Sequence, residues 1–166
     1  MKQISLFIFI FYTLFSNSQT ITVSGGGWTP AISSSDILDA GSDYNTNISS
    51  NTEHSTINIT GTSLLCLGIL VAPDYQIRIN RQDNNWNNLL QLFLRRTGDG
   101  EPTLLCLGCF IENGNNYIEI ESIDKYFFNI RGCYSNVPIQ YELRGLSVLI
   151  PQDNYSTEVI YTITNF

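Results

Sequence analysis

Between Val137 and Ile163 apolar and polar residues alternate in steps of two, and no other feature of the chain limits its fold so tightly. Val137, Ile139, Tyr141 and Leu143 are separated by Pro138, Gln140 and Glu142. After a break, Tyr155, Thr157, Val159, Tyr161 and Ile163 alternate with Ser156, Glu158, Ile160, Thr162 and Thr164. Successive side chains of an extended chain point to opposite faces, so each run reads as a half-buried strand. Both runs are rich in the β-branched and aromatic residues that a pleated surface favours. Between them, Leu146, Val148, Leu149 and Ile150 form an apolar patch, followed by Pro151-Gln152-Asp153-Asn154, which reads as a turn. Such strands need a second layer over their apolar side.

The upstream chain supplies it. Ile21 and Val23 alternate with Thr20, Thr22 and Ser24, a short strand ending at Gly25-Gly26-Gly27. Three glycines have little conformational preference and predict a hinge. Residues 28–52 are irregular, with Trp28, Pro30 and Ile32 able to tuck onto a core edge and one helical turn predicted over Ser35–Gly41. Strands are predicted over His54–Thr60, Tyr75–Arg81, Leu89–Arg96, Thr103–Ile111, Tyr117–Ser122 and Tyr126–Arg131, with Gln82–Asn88 as a polar turn carrying Trp86. Ser63–Val71 is a nearly continuous apolar run, suited to a strand covered on both faces. Ser63-Leu64-Leu65-Cys66-Leu67-Gly68 is echoed by Thr103-Leu104-Leu105-Cys106-Leu107-Gly108, but the flanks do not align as a repeat. Many short strands with closely spaced turn signals predict an all-β chain, an antiparallel two-sheet sandwich before a barrel.

The first eighteen residues read differently. Lys2 precedes the apolar run Ile4–Phe15, and Ser16-Asn17-Ser18 places small residues at a cleavage site before Gln19. The run is shorter than the ~20 residues of a spanning helix, so Met1–Ser18 reads as a secretory signal peptide and nothing after it as a membrane span. The mature chain is then 19–27, strand and hinge, followed by 28–166, the sandwich. The expected location is secreted, periplasmic or cell-surface. Net charge is −7, and only Lys125 remains when Lys2 is removed, which speaks against a nucleic-acid or anionic-membrane partner.

Cys66, Cys106, Cys109 and Cys133 are an even set in an exported chain and read as structural disulfides or partly unpaired buried thiols before a metal site. Three connectivities exist; the echo makes Cys66–Cys106 conceivable, and Cys109–Cys133 equally so. Cys106-x-x-Cys109 has metal-ligand spacing, but no second such pair and no nearby histidine supports a metal site. Asp36, Asp39 and Asp43 do not have calcium-loop spacing.

Catalytic patterns are sparse. His54 sits in a polar stretch and reads as solvated. No Gly-x-Ser-x-Gly, HExxH or phosphate loop occurs. Glu119 and Glu121 fall on one face of a predicted strand about 7 Å apart, a spacing compatible with glycoside hydrolysis, but a solvated face explains them better. Arg95-Arg96 reads as pairing with local carboxylates. A non-enzymatic chain without cofactor is expected. Trp86 lies among Asn84, Asn85, Asn87 and Asn88, where a ring could stack on a sugar and amides bind its hydroxyls; the alternative is a ring folded back over the sandwich end. Asn47-Ile48-Ser49, Asn58-Ile59-Thr60 and Asn154-Tyr155-Ser156 are glycosylation sequons.

Two stretches resemble a known family. Gln19–Ser24 with Trp28-Thr29-Pro30-Ala31-Ile32 resembles the N-terminal extension of chaperone-assembled fimbrial subunits. Ile150-Pro151 through Tyr155–Thr164 resembles their final strand and that of spore-coat-U-like secreted domains. The resemblance covers about a quarter of the chain; the four cysteines and the repeated Leu-Leu-Cys-Leu-Gly lie outside it. It implies an immunoglobulin-like sandwich that polymerises when one subunit's N-terminal strand completes a neighbour's sheet. Ile21 and Val23 would then be donor residues and Gly25, Gly26 and Gly27 the hinge. The expected partner is the protein itself or another surface protein. The second expectation is a carbohydrate-binding or adhesin module using Trp86, Asn85 and Asn87.

Overall fold

The computed structural model describes residues 19–30, 47–61, 66, 74–103, 106 and 108–165. The leader Met1–Ser18, the helical turn Ser35–Gly41, the aspartates 36, 39 and 43, and most of the Ser63–Val71 run lie outside the described residues. All eleven elements are β-strands: β1 (Thr20–Ser24), β2 (Ile48–Ser49), β3 (Ser55–Thr60), β4 (Asp74–Asn85), β5 (Gln91–Arg96), β6 (Glu101–Pro102), β7 (Phe110–Glu112), β8 (Ile118–Glu119), β9 (Lys125–Arg131), β10 (Tyr134–Arg144) and β11 (Ser156–Asn165).

Two antiparallel sheets pack face to face, as the alternation predicts. The larger runs β1-β3-β10-β5-β8, with β2 and β6 also paired to β10. The smaller runs β11-β4-β9-β7. The two C-terminal strands therefore do not pair with each other. β10 is the middle of one sheet and β11 the edge of the other, and residues 145–155 carry the chain across.

Inward residues follow the period of two. Ile57 and Ile59 of β3, Ile77 and Ile79 of β4, Leu92 and Leu94 of β5, and Val137 and Ile139 of β10 form one buried cluster. Phe127 and Phe128 break the rule, since neighbours on a strand should face opposite ways, yet both are fully buried. The β4–β9 register slips between Ile77↔Phe128 and Arg78↔Tyr126, so Phe127 is the extra residue of a bulge. The bulge turns both rings inward, edge to face at 4.9 Å between centroids.

Several local expectations change. β4 runs on to Asn85, through most of the predicted turn Gln82–Asn88, because β11 pairs along its whole length. Predicted strand Thr103–Ile111 shrinks to Phe110–Glu112 at its end, with a turn at Gly108 and a Cys106–Cys109 bridge. The predicted outer face of β10 is also dry. Gln140 and Glu142 are buried because long side chains roof them. Arg95 donates to Gln140 at 2.9 Å and lies 4.7 Å from the Tyr117 ring centroid. Arg144 bonds Glu142 at 2.6 Å while stacking 3.9 Å from Phe93.

The cysteines join as Cys66–Cys133 and Cys106–Cys109. Neither Cys66–Cys106 nor Cys109–Cys133 forms. The Leu-Leu-Cys-Leu-Gly echo does not pair the two copies; Cys133, at the start of β10, takes Cys66 instead. Gly132, at φ +86°, makes room for the second bridge, since a Cβ there would overlap Cys109 Sγ and meet Cys106 Sγ at 2.8 Å. No helix among the described residues is long and apolar enough to cross a membrane.

Candidate functional site: a hinge, a cleft and an open edge

β1 hangs on the side of the larger sheet. It pairs only β3, from Thr20↔Thr60 to Ser24↔Thr56. Alternation sends Ile21 inward onto the core, whereas Val23 remains 47% exposed. The three glycines are not equivalent. Gly25 adopts φ +126°, and a Cβ there would lie 2.8 Å from the His54 carbonyl, so the position requires glycine. Gly26 and Gly27 face open space.

His54 is half-buried rather than solvated. Its Nε2 lies 3.1 Å from the Gly26 carbonyl, a bond that the Nε2–H form donates. Its ring packs edge-on to Tyr141 at 5.9 Å, and Trp28 stacks on that same tyrosine at 6.2 Å. The hinge is thus tacked down by aromatic contacts on either side of Tyr141.

Beside the hinge a cleft of 1040 Å³ opens between the two sheets. Leu92, Tyr141 and Leu143 form its floor, and Val159 and Tyr161 of β11 its far wall. Val23, the three glycines and Trp28 close one side; Trp86, Leu146 and Ile150 close its end. Pro151–Tyr155 makes the rim. Among the described lining residues Asp153 is the single ionised side chain. Its carboxyl sits below the usual carboxylate range because Asn85 Nδ2 donates to it at 3.1 Å and the Asn154 amide at 2.7 Å. The Tyr141 and Tyr161 hydroxyls meet at 2.9 Å in the wall, with Ser55 Oγ donating to Tyr141 at 3.3 Å. Enclosure pushes the Tyr161 phenol well above its ordinary value, and Tyr141 adds to the shift.

The structure brings Trp86, Asn85 and Asn87 to this end of the cleft but gives each a local task. Trp86 is half-buried, donates Nε1–H to the Leu90 carbonyl at 3.0 Å, and carries the Arg81 guanidinium 5.2 Å from its centroid. Asn85 ties the end of β4 to Asp153 and to the Asn154 carbonyl. Asn87 Oδ1 accepts from the Leu89 amide at 2.9 Å. A ring presented to the cleft by one side only, with its N–H committed, contributes area rather than hydrogen bonding.

The two candidate carboxylates separate. β8 ends at Glu119, and Ile120 N still bonds Leu92 in the larger sheet while the Glu121 carbonyl accepts from Arg81 in the smaller. The chain turns a corner between them, so Glu119 and Glu121 share no strand face, and Glu121 pairs with Lys125 at 2.5 Å. Arg96 is only 2% exposed and is held by Asp99 and by the Gly98 and Asn113 carbonyls at 2.7 and 2.9 Å. It serves as a pin, in keeping with a local partner.

The residues that sequence reasoning missed are Tyr141 and Tyr161 as a bonded pair and Trp28 as the ring that caps it. Alternation marks both tyrosines as inward, but nothing in a period of two says that strands in different sheets bring their hydroxyls together.

β11 completes this side of the molecule. β4 is its one hydrogen-bonded strand partner among the described residues, where no strand pairs with its other edge, although β1 of the other sheet lies close by. The chain matches no protein-family model, no curated protein and no solved structure, so its resemblance to fimbrial subunits rests on its own residues.

Proposed function

We propose that this protein is a secreted, non-catalytic, immunoglobulin-like sandwich of the cell surface or its surroundings that assembles with copies of itself by exchanging strand β1. The observation that carries this reading is the way β1 is attached. It is a terminal edge strand of five residues, four of them exposed, anchored by one core side chain and followed by glycines. In exchange, the same pairs with β3 form between two copies, so little interaction energy distinguishes open from closed forms, and concentration decides. Two disulfides support the extracytoplasmic placement. The ion pair of Glu121 with Lys125, away from Glu119, supports a role without catalysis.

The test is the solution mass of the mature chain from Gln19 by light scattering, with and without residues 19–27. Ile21→Asp/Val23→Asp serves as a companion that keeps chain length. Exchange requires that the unaltered chain form larger species than either altered chain does. If the mass is the same in all three, β1 takes no part in assembly.

The cleft favours a second reading, an adhesin-like module that stacks a glycan on Trp28 and Trp86. Its aromatic walls and a rim of Gln152, Asp153 and Asn154 support it. Trp28→Ala and Trp86→Ala should then abolish retention on a glycan array while leaving the mass unchanged.

A further inference from the structure

Among the described residues the two sheets run out at four strands, β1, β8, β7 and β11, and three of these are blunted. β8 is two residues long, β7 three and β1 five. Short strands present few unpaired amides and carbonyls, which is how sheet proteins avoid indiscriminate pairing. β11 is ten residues long. It contains no lysine, arginine or proline and a single acid, Glu158. Its one irregularity lies at Ser156/Thr157; from Thr157 to Asn165 it runs in unbroken register along β4. A long, straight, nearly uncharged edge is a template for another strand.

We infer that the free edge of β11 pairs antiparallel with β11 of a second copy, joining the two smaller sheets into one. The strand is self-complementary about Ile160. In that register Ile160 faces its own copy, Val159 faces Tyr161 and Glu158 faces Thr162. No two like charges meet. Ile160 is 36% exposed, a β-branched side chain left on the outer face, and cross-strand pairs of this type stabilise sheets. Charges further out are also complementary. Thr162 pairs with Arg78 on β4, so Glu158 of one copy lies in the same cross-sheet row as Arg78 of the other. This interface is separate from β1 exchange. Reciprocal exchange alone closes on itself as a dimer, whereas exchange plus edge pairing gives each copy two interfaces and allows a linear array.

The experiment uses the full mature chain with Ile160→Cys under mild oxidation, read on a non-reducing gel. The two substituted positions sit opposite each other at the dyad, so a covalent dimer is expected. The same dimer must form when Ile21→Asp/Val23→Asp is also present. With Ile21→Asp/Val23→Asp present, Glu158→Lys/Ile160→Lys places four cations across the dyad on an exposed face and should weaken the remaining self-association at least tenfold, with circular dichroism unchanged. The inference is overturned by a monomer on the gel. It is equally overturned if association in the β1-substituted background survives the lysine pair, or if the cross-link vanishes with the β1 substitutions, since then a neighbour's β1 occupies the edge.

Discussion

The two lateral sides of this sandwich are built to opposite rules. On the β7/β8 side the edge strands are stubs, and the chain is held by other means. Arg96 binds three groups there, Arg131 bonds Asp74 at 2.5 and 2.8 Å, and Cys106–Cys109 is packed against Gly132. On the β1/β11 side the strands are longer, the hinge has two glycines, Gly26 and Gly27, where side chains would fit, and a cleft stays open. One side spends residues on closure; the other leaves backbone and apolar surface unpaired. The contrast separates stability from function: substitutions on the closed side should change folding, and those on the open side association.

The largest expected effect is on the closed side. Cys66–Cys133 spans 67 positions, and replacing both cysteines with serine should cost about 4 kcal/mol by loop-closure entropy, read in urea denaturation. Loss of Cys106–Cys109, a separation of 3, should cost about half as much. Equal effects would mean that strain or residual structure, not loop length, sets the scale. Next comes Arg96→Ala, expected at about 2 kcal/mol because it empties a buried position and removes the bonds to Asp99 and to the Gly98 and Asn113 carbonyls.

Tyr161→Phe sits on the boundary between the two sides. It should cost about 1 kcal/mol through the lost hydroxyl pair. The pH dependence has a definite sign. Tyr161 holds its proton more tightly folded than unfolded, so its share of stability is complete below the ordinary tyrosine range of about 10 and is lost as pH rises above it. Tyr75 and Tyr134, also raised by burial, add to the same alkaline loss. Thermal melts from pH 8 to 11 should steepen in the parent and flatten in Tyr161→Phe; parallel curves would remove Tyr161 from the account. The smallest effect belongs to Val23→Asp. At an exposed position it should move stability by no more than about 0.5 kcal/mol, while shifting the monomer fraction. A loss above 1 kcal/mol would show that β1 is as firmly built in as β3.

The strands were legible wherever one face is wet and one dry. β1, β3, β5, β10 and β11 all appear in the alternation of their residues, as does the two-layer architecture. The bulge at Phe127 was not legible, because an extra residue is defined by its partner's register. Nor were β2 and β6, two-residue pairings whose existence depends on where β10 passes. Gln140 and Glu142 look solvent-facing until Arg95 of β5 and Arg144 of β10 close over them. Disulfide pairing was open for the same reason: spacing along the chain does not give distance across a sheet. Of the candidate site, the glycine triplet, Ile21, Val23 and Trp86 could be singled out beforehand. The cleft between them, and the open side of β11, belong to topology and have no local signature.

β10 carries a consequence in time. It pairs with β2, β3, β5 and β6, every one of which precedes it in the chain. During synthesis from the N-terminus the larger sheet has no centre until residue 144 emerges, and β3 and β5 lack the strand that joins them. Contacts so distant in sequence make for slow folding. The nascent chain can therefore pair β4, β9 and β7 early, but it joins its larger sheet only when nearly the whole of that sheet's sequence has been made.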